Sequence, residues 1–172
     1  MRRTAELGFL LALALVLSYV ESLIPFSFGI PGIKLGLPNL IVLLLLYEKP
    51  KTGGEREAIL VNGLRIVLSG FLFSNLYAIL YALAGAACSF TAMILGRRTK
   101  RFSMVGVSVL GGVFHNVGQL LVAMAVVETF AVGYYAPFLI LAGTVTGAVL
   151  GIVGMTLLPY LRRLEREGEQ GK

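Results

Sequence analysis

Residues 24–39 read IPFSFGIPGIKLGLPN, and the overlapping residues 38–47 read PNLIVLLLLY. The first piece holds Pro25, Pro31 and Pro38 together with Gly29, Gly32 and Gly36. Proline removes a backbone donor and clashes with the preceding turn, and glycine weakens a helix, so this density opposes a continuous helix. The second piece is apolar beyond Asn39 but is half the roughly 20 residues that a spanning helix needs. The stretch therefore reads as an ordered, partly re-entrant loop leading into a short second span. Irregular backbone at membrane depth survives only where protein covers it or where it lines a wet cavity, so the loop also points to a cavity.

Outward from this stretch the chain is a series of long apolar runs. Residues 5–24, 56–73, 75–96, 104–127 and 135–158 fit the roughly 17–25 residues of a membrane-spanning helix. With the short segment at 38–47 they make six spans. The expected fold is all-α and integral to the membrane: one six-helix domain over residues 1–161, then a polar cytoplasmic tail over 162–172. Arg2, Arg3 and the apolar run behind them superficially resemble a secretion leader. The run reaches Ile24 and no small-x-small cleavage site follows, so it reads as a retained first span.

Composition agrees. Of 172 residues, 57% are apolar and only 14% are charged, against roughly 25% charged in soluble domains. A soluble fold of this size could not hide so much apolar surface. The net charge of +6 does not mark a nucleic-acid binder, because the cations sit between apolar runs. That is a topology signal, and the expected partner is the lipid bilayer. With the N-terminus in the cytoplasm, cytoplasmic segments hold 13 of the 15 Lys and Arg residues; Lys34 falls outside and Arg65 within a span. Short loops this lopsided follow the positive-inside rule, with both termini cytoplasmic. Removing the short second span would put the basic run 97–101 outside while Arg2 and Arg3 stayed inside, so the charge map argues for that span independently.

A charge inside the bilayer costs roughly 2.5–3.5 kcal/mol on insertion scales and persists when it is paired or wet. Asn62, Arg65 and Ser69 follow i, i+3, i+7 spacing and share one face of the third span. His115 and Gln119 stand four apart in the fifth span with Asn116 beside them, Glu21 lies near the outer end of the first, Lys34 in the loop, and Asn39 opens the second. These are the candidate ligand-binding residues, placed to converge in the outer half of the bundle. Arg65 is the candidate clamp, because a guanidinium holds a carboxylate or phosphate by two parallel hydrogen bonds. Glu21 is a counter-ion for Arg65 or for Lys34. The competing explanations are interhelical hydrogen bonding for the amides and interfacial exposure for Glu21 and Lys34. Gly143, Gly147 and Gly151 make a smooth face for close packing; Gly8 and Ala12 make a similar pair on the first span, suited to a partner subunit or to packing within the chain.

Several chemistries are excluded. The chain has no aspartate, so it lacks the aspartate-rich clusters that hold magnesium on a diphosphate. Cys88 is its single cysteine, which excludes an internal disulfide and a CxxC site, and its one histidine makes a poor metal site. No Walker loop, GxSxG elbow, HExxH or CxxCH motif is present. No catalytic residue, metal ligand or required cofactor is assigned, and the chain alone is not expected to be an enzyme.

ESLIP (21–25), PGIKLGLPN (31–39), LRIVLSG (64–70) and HNVGQLLVA (115–123) together resemble, in order and spacing, the family catalogued both as heptaprenyl diphosphate synthase component I and as the Gx transporter family. That family is similar in fold to the substrate-binding S components of energy-coupling factor (ECF) vitamin transporters. The resemblance implies a six-helix bundle in the bacterial cytoplasmic membrane, with a ligand cavity in its outer half. In ECF systems the first span meets a membrane coupling subunit, which here would use Gly8 and Ala12, and ATPases complete the machine. Related membrane proteins in flavin- and quinone-linked electron-transfer loci of Gram-positive bacteria make flavin or quinone a candidate ligand. Two functional expectations result. One is an ECF-like binding component that captures a small anionic vitamin- or cofactor-like molecule. The alternative is a non-catalytic membrane subunit of isoprenoid or quinone metabolism or of electron transfer.

Overall fold

A computed structural model describes residues 2–23, 36–48 and 54–170, with side chains described for 3–23, 36–48 and 54–163. Among the described residues six α-helices follow one another: α1 Arg2–Leu23, α2 Asn39–Glu48, α3 Gly54–Phe73, α4 Leu76–Arg98, α5 Met104–Val127 and α6 Ala136–Gln170, with a 3-10 turn at Phe130–Tyr135 before α6. No strand occurs among the described residues. The expected re-entrant loop and Lys34 fall in 24–35, outside the described residues.

Local sequence sets the helix ends. Asn75 caps α4 by accepting from the Ala78 N–H at 2.9 Å, and Ser103 caps α5 by accepting from Gly106 at 3.2 Å. Glu128 ends α5 in a left-handed conformation, φ 52°. Beyond 158, where the last span was expected to end, α6 continues helical through Pro159 to Gln170, so the polar tail extends the final helix.

Among the described residues four helical stretches are long and apolar enough to cross a membrane: Arg3–Leu23, Leu76–Arg98, Met104–Val127 and Phe130–Arg163. The chain is a multi-pass α-helical membrane protein. The two remaining helices explain why six spans do not stand out equally. α3 has 20 residues but carries Glu55, Arg56, Glu57 and Arg65. α2 has 10 residues, about 15 Å at 1.5 Å per residue, roughly half the hydrocarbon thickness.

Ion pairs gather one set of helix ends. Arg3 at the start of α1 pairs with Glu57 of α3, with Glu48 at the end of α2 at 2.9 Å, and with Glu6 at 3.1 Å. Glu55 at the start of α3 pairs with Arg97 at 2.6 Å and Arg98 at 3.1 Å at the end of α4. α3 thus runs antiparallel to α4, from this charged end to the tight Ser74–Asn75 turn at the other. Arg97 also donates to the Leu46 carbonyl, and Arg162 of α6 donates to that of Tyr47 at 2.8 Å.

The core is built around α2. Ile41 through Leu46 are all buried, packed with Ala14, Ala58, Val61, Phe90, Met93, Met104, Val107 and Leu158. A helix that is apolar all round is a buried one, and α2 is the central post against which α1, α3 and α6 pack. α5 and α6 approach more closely. A Cβ at Gly112 would run into the Gly143 carbonyl oxygen, and one at Gly147 would sit 2.7 Å from the Ser108 carbonyl oxygen. The glycine row of α6 is therefore an internal packing face, where bare backbones gain van der Waals contact that lipid does not supply. Gly8 and Ala12 face outward, with nothing within 4 Å of a Cβ at Gly8.

Candidate functional site

The α3 sequence places Asn62, Arg65 and Ser69 on successive turns of one face. Arg65 is buried, 8% exposed. Its Nε and Nη2 donate to the Asn62 side-chain oxygen at 3.1 and 2.7 Å. Ser69 satisfies its own hydroxyl on the Ile66 carbonyl at 3.3 Å. Glu21 stands near enough to act on Arg65 electrostatically, while the described salt bridges lie at the charged end of the bundle.

Arg65 borders a cavity of about 310 Å³ at the end of the bundle opposite those ion pairs. Ser18, Glu21 and Ser22 come from α1; Gly36, Pro38 and Asn39 lead into α2; α3 adds Arg65, Ser69 and Phe73; Ala78 and Ala82 belong to α4; His115 and Gln119 belong to α5. Glu21 also accepts the backbone N–H of Gly36, tying the end of α1 to the turn that starts α2. Gly36 has φ +73°, a left-handed conformation that glycine adopts without strain. Gly85 of α4 provides room on the far wall: a Cβ there would lie 2.9 Å from both His115 Cε1 and Gln119 Cγ.

Of the residues singled out from sequence, Glu21, Asn39, Arg65, Ser69, His115 and Gln119 meet at this cavity. Asn62 stands behind Arg65 and holds it. Asn116 does not reach the cavity; its amide donates to the Leu139 carbonyl at 2.8 Å and joins α5 to α6, beside a second hollow of about 20 Å³. The neighbouring positions 115 and 116 project about 100° apart on a helix, so one faces the cavity and the other faces α6. Sequence reasoning passed over Ser18 and Ser22. The two serines carried a signal, since Ser18, Glu21 and Ser22 share one face of α1.

Arg65 spends one edge on Asn62, and its remaining donors stand at the cavity wall with hydroxyls and amides from α1, α2 and α5. Among the described residues no group of three His, Cys, Asp or Glu side chains could hold a metal ion.

A family model described as heptaprenyl diphosphate synthase component I matches residues 10–157. The chain belongs to that family. Every residue lining the cavity lies inside the heptaprenyl diphosphate synthase component I match, as does Ala12, whereas Gly8 lies before it. No curated protein and no solved structure matches the chain.

Proposed function

We propose that this protein is a non-catalytic membrane component that works beside a separate prenyl diphosphate synthase subunit, and that its cavity binds the anionic or polar head of an isoprenoid, quinone or related cofactor. Family membership supports association with a synthase. The lack of aspartate supports leaving diphosphate chemistry to the partner. The observation that carries the ligand reading is a buried arginine, held on one edge by Asn62, on the wall of a cavity of about 310 Å³. A buried charge is costly unless it is paired and hydrogen-bonded. Ligand sites run from about 300 to 1,000 Å³, so this cavity takes a compact head and leaves a long prenyl tail in lipid.

In the topology we propose, all six helices cross or nearly cross. The charged end and both termini lie in the cytoplasm, and the cavity lies in the outer half of the membrane. Two features support it: the lopsided cation distribution, and the ion pairs that bring α1, α2, α3 and α4 to one level.

The test is ligand carry-through. The protein is purified in mild detergent and its extract analysed by mass spectrometry, alongside Arg65→Ala and Arg65→Lys. We expect an isoprenoid or quinone in the wild type and at least tenfold less in Arg65→Ala, as loss of a charge-assisted bond costs roughly 1.5–3 kcal/mol. Equal ligand in a folded Arg65→Ala protein would reject the site.

The outward face of α1 supports a second reading, an ECF-like uptake component. Gly8 and Ala12 leave that face open to a membrane coupling subunit. A water-soluble vitamin in the extract, with a coupling subunit and ATPases co-purifying, would favour uptake.

A further inference from the structure

A groove of about 620 Å³ lies at the charged end of the bundle, far from Arg65. Its walls are apolar, with Met104 from the start of α5 and Met155, Leu158 and Pro159 from α6. Its head is basic, with Arg162 and Arg163 one turn further along α6, beside Tyr47 at the end of α2. We propose that this groove is a binding site for an anionic phospholipid, with the phosphate on Arg162 and an acyl chain along the methionine and leucine wall.

Three observations carry this. The first is charge. Arg3, Arg97 and Arg98 at the same end are each matched to a glutamate. The described bond of Arg162 goes instead to the Tyr47 backbone carbonyl at 2.8 Å. A carbonyl orients a guanidinium without neutralising it, so four of the five donors of Arg162 and its full charge face the groove and its surroundings. The second is shape. Leu158 and Met104 are buried while Met155 and Tyr160 are exposed, so the groove opens sideways to the hydrocarbon that surrounds the bundle. The third is depth. Arg162 bonds Tyr47, next to the Glu48 of the ion pairs that close the helix ends; in the proposed topology that level meets the cytoplasmic lipid head groups, where basic pockets between helices recognise anionic lipids. Occupancy would pin α6 to α2 and α5 at that end. The site is independent of the Arg65 cavity and of the function proposed for it.

The experiment uses the full chain reconstituted in phosphatidylcholine bilayers doped with phosphatidylglycerol, then released for native mass spectrometry. Two double variants remove the same charge. R162Q/R163Q acts in the groove, and K100Q/R101Q acts at the same end outside it. We expect retained phosphatidylglycerol to fall roughly tenfold in R162Q/R163Q and to stay at the wild-type level in K100Q/R101Q. R162Q alone, which leaves Arg163 in place, should lose most of that share, and it decides the question if the double variant does not fold. Equal loss in both double variants would show general electrostatic attraction and overturn the site. No loss in any variant would overturn it as well. So would a retained prenyl phosphate that phosphatidylglycerol does not displace.

Discussion

The side-chain oxygen of Asn62 accepts two hydrogen bonds from Arg65, from Nε at 3.1 Å and from Nη2 at 2.7 Å. One neutral acceptor thus fixes the plane of a buried guanidinium without cancelling its charge. A carboxylate at this position would form an ion pair with Arg65. An amide leaves the guanidinium charged and orients it.

That distinction gives the first prediction. Asn62→Ala should weaken binding of an anionic ligand about tenfold, since a bond to a charged group contributes roughly 1.5–3 kcal/mol. Asn62→Asp should weaken it further while leaving the protein at least as stable, because it pairs with Arg65. Titration calorimetry with the carried-through ligand, beside thermal melting in detergent, checks both. Tighter binding in Asn62→Asp would mean that Arg65 is a structural cation.

The second prediction concerns the link from α1 to the start of α2. Gly36 holds φ +73° while its N–H reaches Glu21. An L-residue in that conformation is strained by about 1–2 kcal/mol. Gly36→Ala should lower the melting temperature by several degrees and weaken ligand binding. Gly8→Ala, on an open helix face, should match or exceed the wild type, since alanine is the better helix former by up to about 1 kcal/mol. Equal melting of the two variants would show that the left-handed turn does not matter.

Much of this arrangement was legible in the sequence, and its gaps have physical reasons. Helical period alone put Arg65 on a face with Asn62 and Ser69, and the same arithmetic paired His115 with Gln119. It could not say which way Asn116 turns, because that depends on α6, which supplies the Leu139 carbonyl. Hydropathy found α1, α4, α5 and α6 but hardly separates a buried post from a short span at α2, since both are uniformly apolar. The ion pairs of Arg3 with Glu48 and of Arg97 with Glu55 join residues 45 and 42 apart. No local pattern announces them. The sequence offered those cations only as topology markers, and the fold also uses them to close the helix ends.

The third prediction tests the α5–α6 seam. Gly112 faces Gly143, and Gly147 faces the backbone of Ser108 and Val109. Side chains at these points meet backbone, which cannot rotate away. Gly112→Leu or Gly147→Leu should therefore force the helices apart, a change in the overpacking class of about 1–3 kcal/mol or more. Size-exclusion profiles and melting in detergent should show loss of the folded form. Gly63→Leu, where a Cβ meets nothing within 4 Å, should be tolerated.

The last prediction is about side. In a Cys88→Ser background, Ser74→Cys at the cavity end should react with a membrane-impermeant maleimide added to intact cells, whereas Lys100→Cys should react only after permeabilisation. That direction follows from the proposed topology, which rests on the lopsided cation distribution. The result also bears on function. A cavity that opens outward stands on the opposite face of the membrane from a cytoplasmic synthase. Arg65 could then receive a head group only from the outer leaflet or from outside the cell, and the diphosphate pocket of the synthase would have to belong wholly to its partner. The reverse labelling pattern would overturn the orientation and bring Arg65 to the side where a synthase subunit could reach it. The aspartate-free chain would then supply a cation to a shared pocket, and Arg65→Ala should slow prenyl transfer by the assembled pair while leaving the isolated partner's rate unchanged.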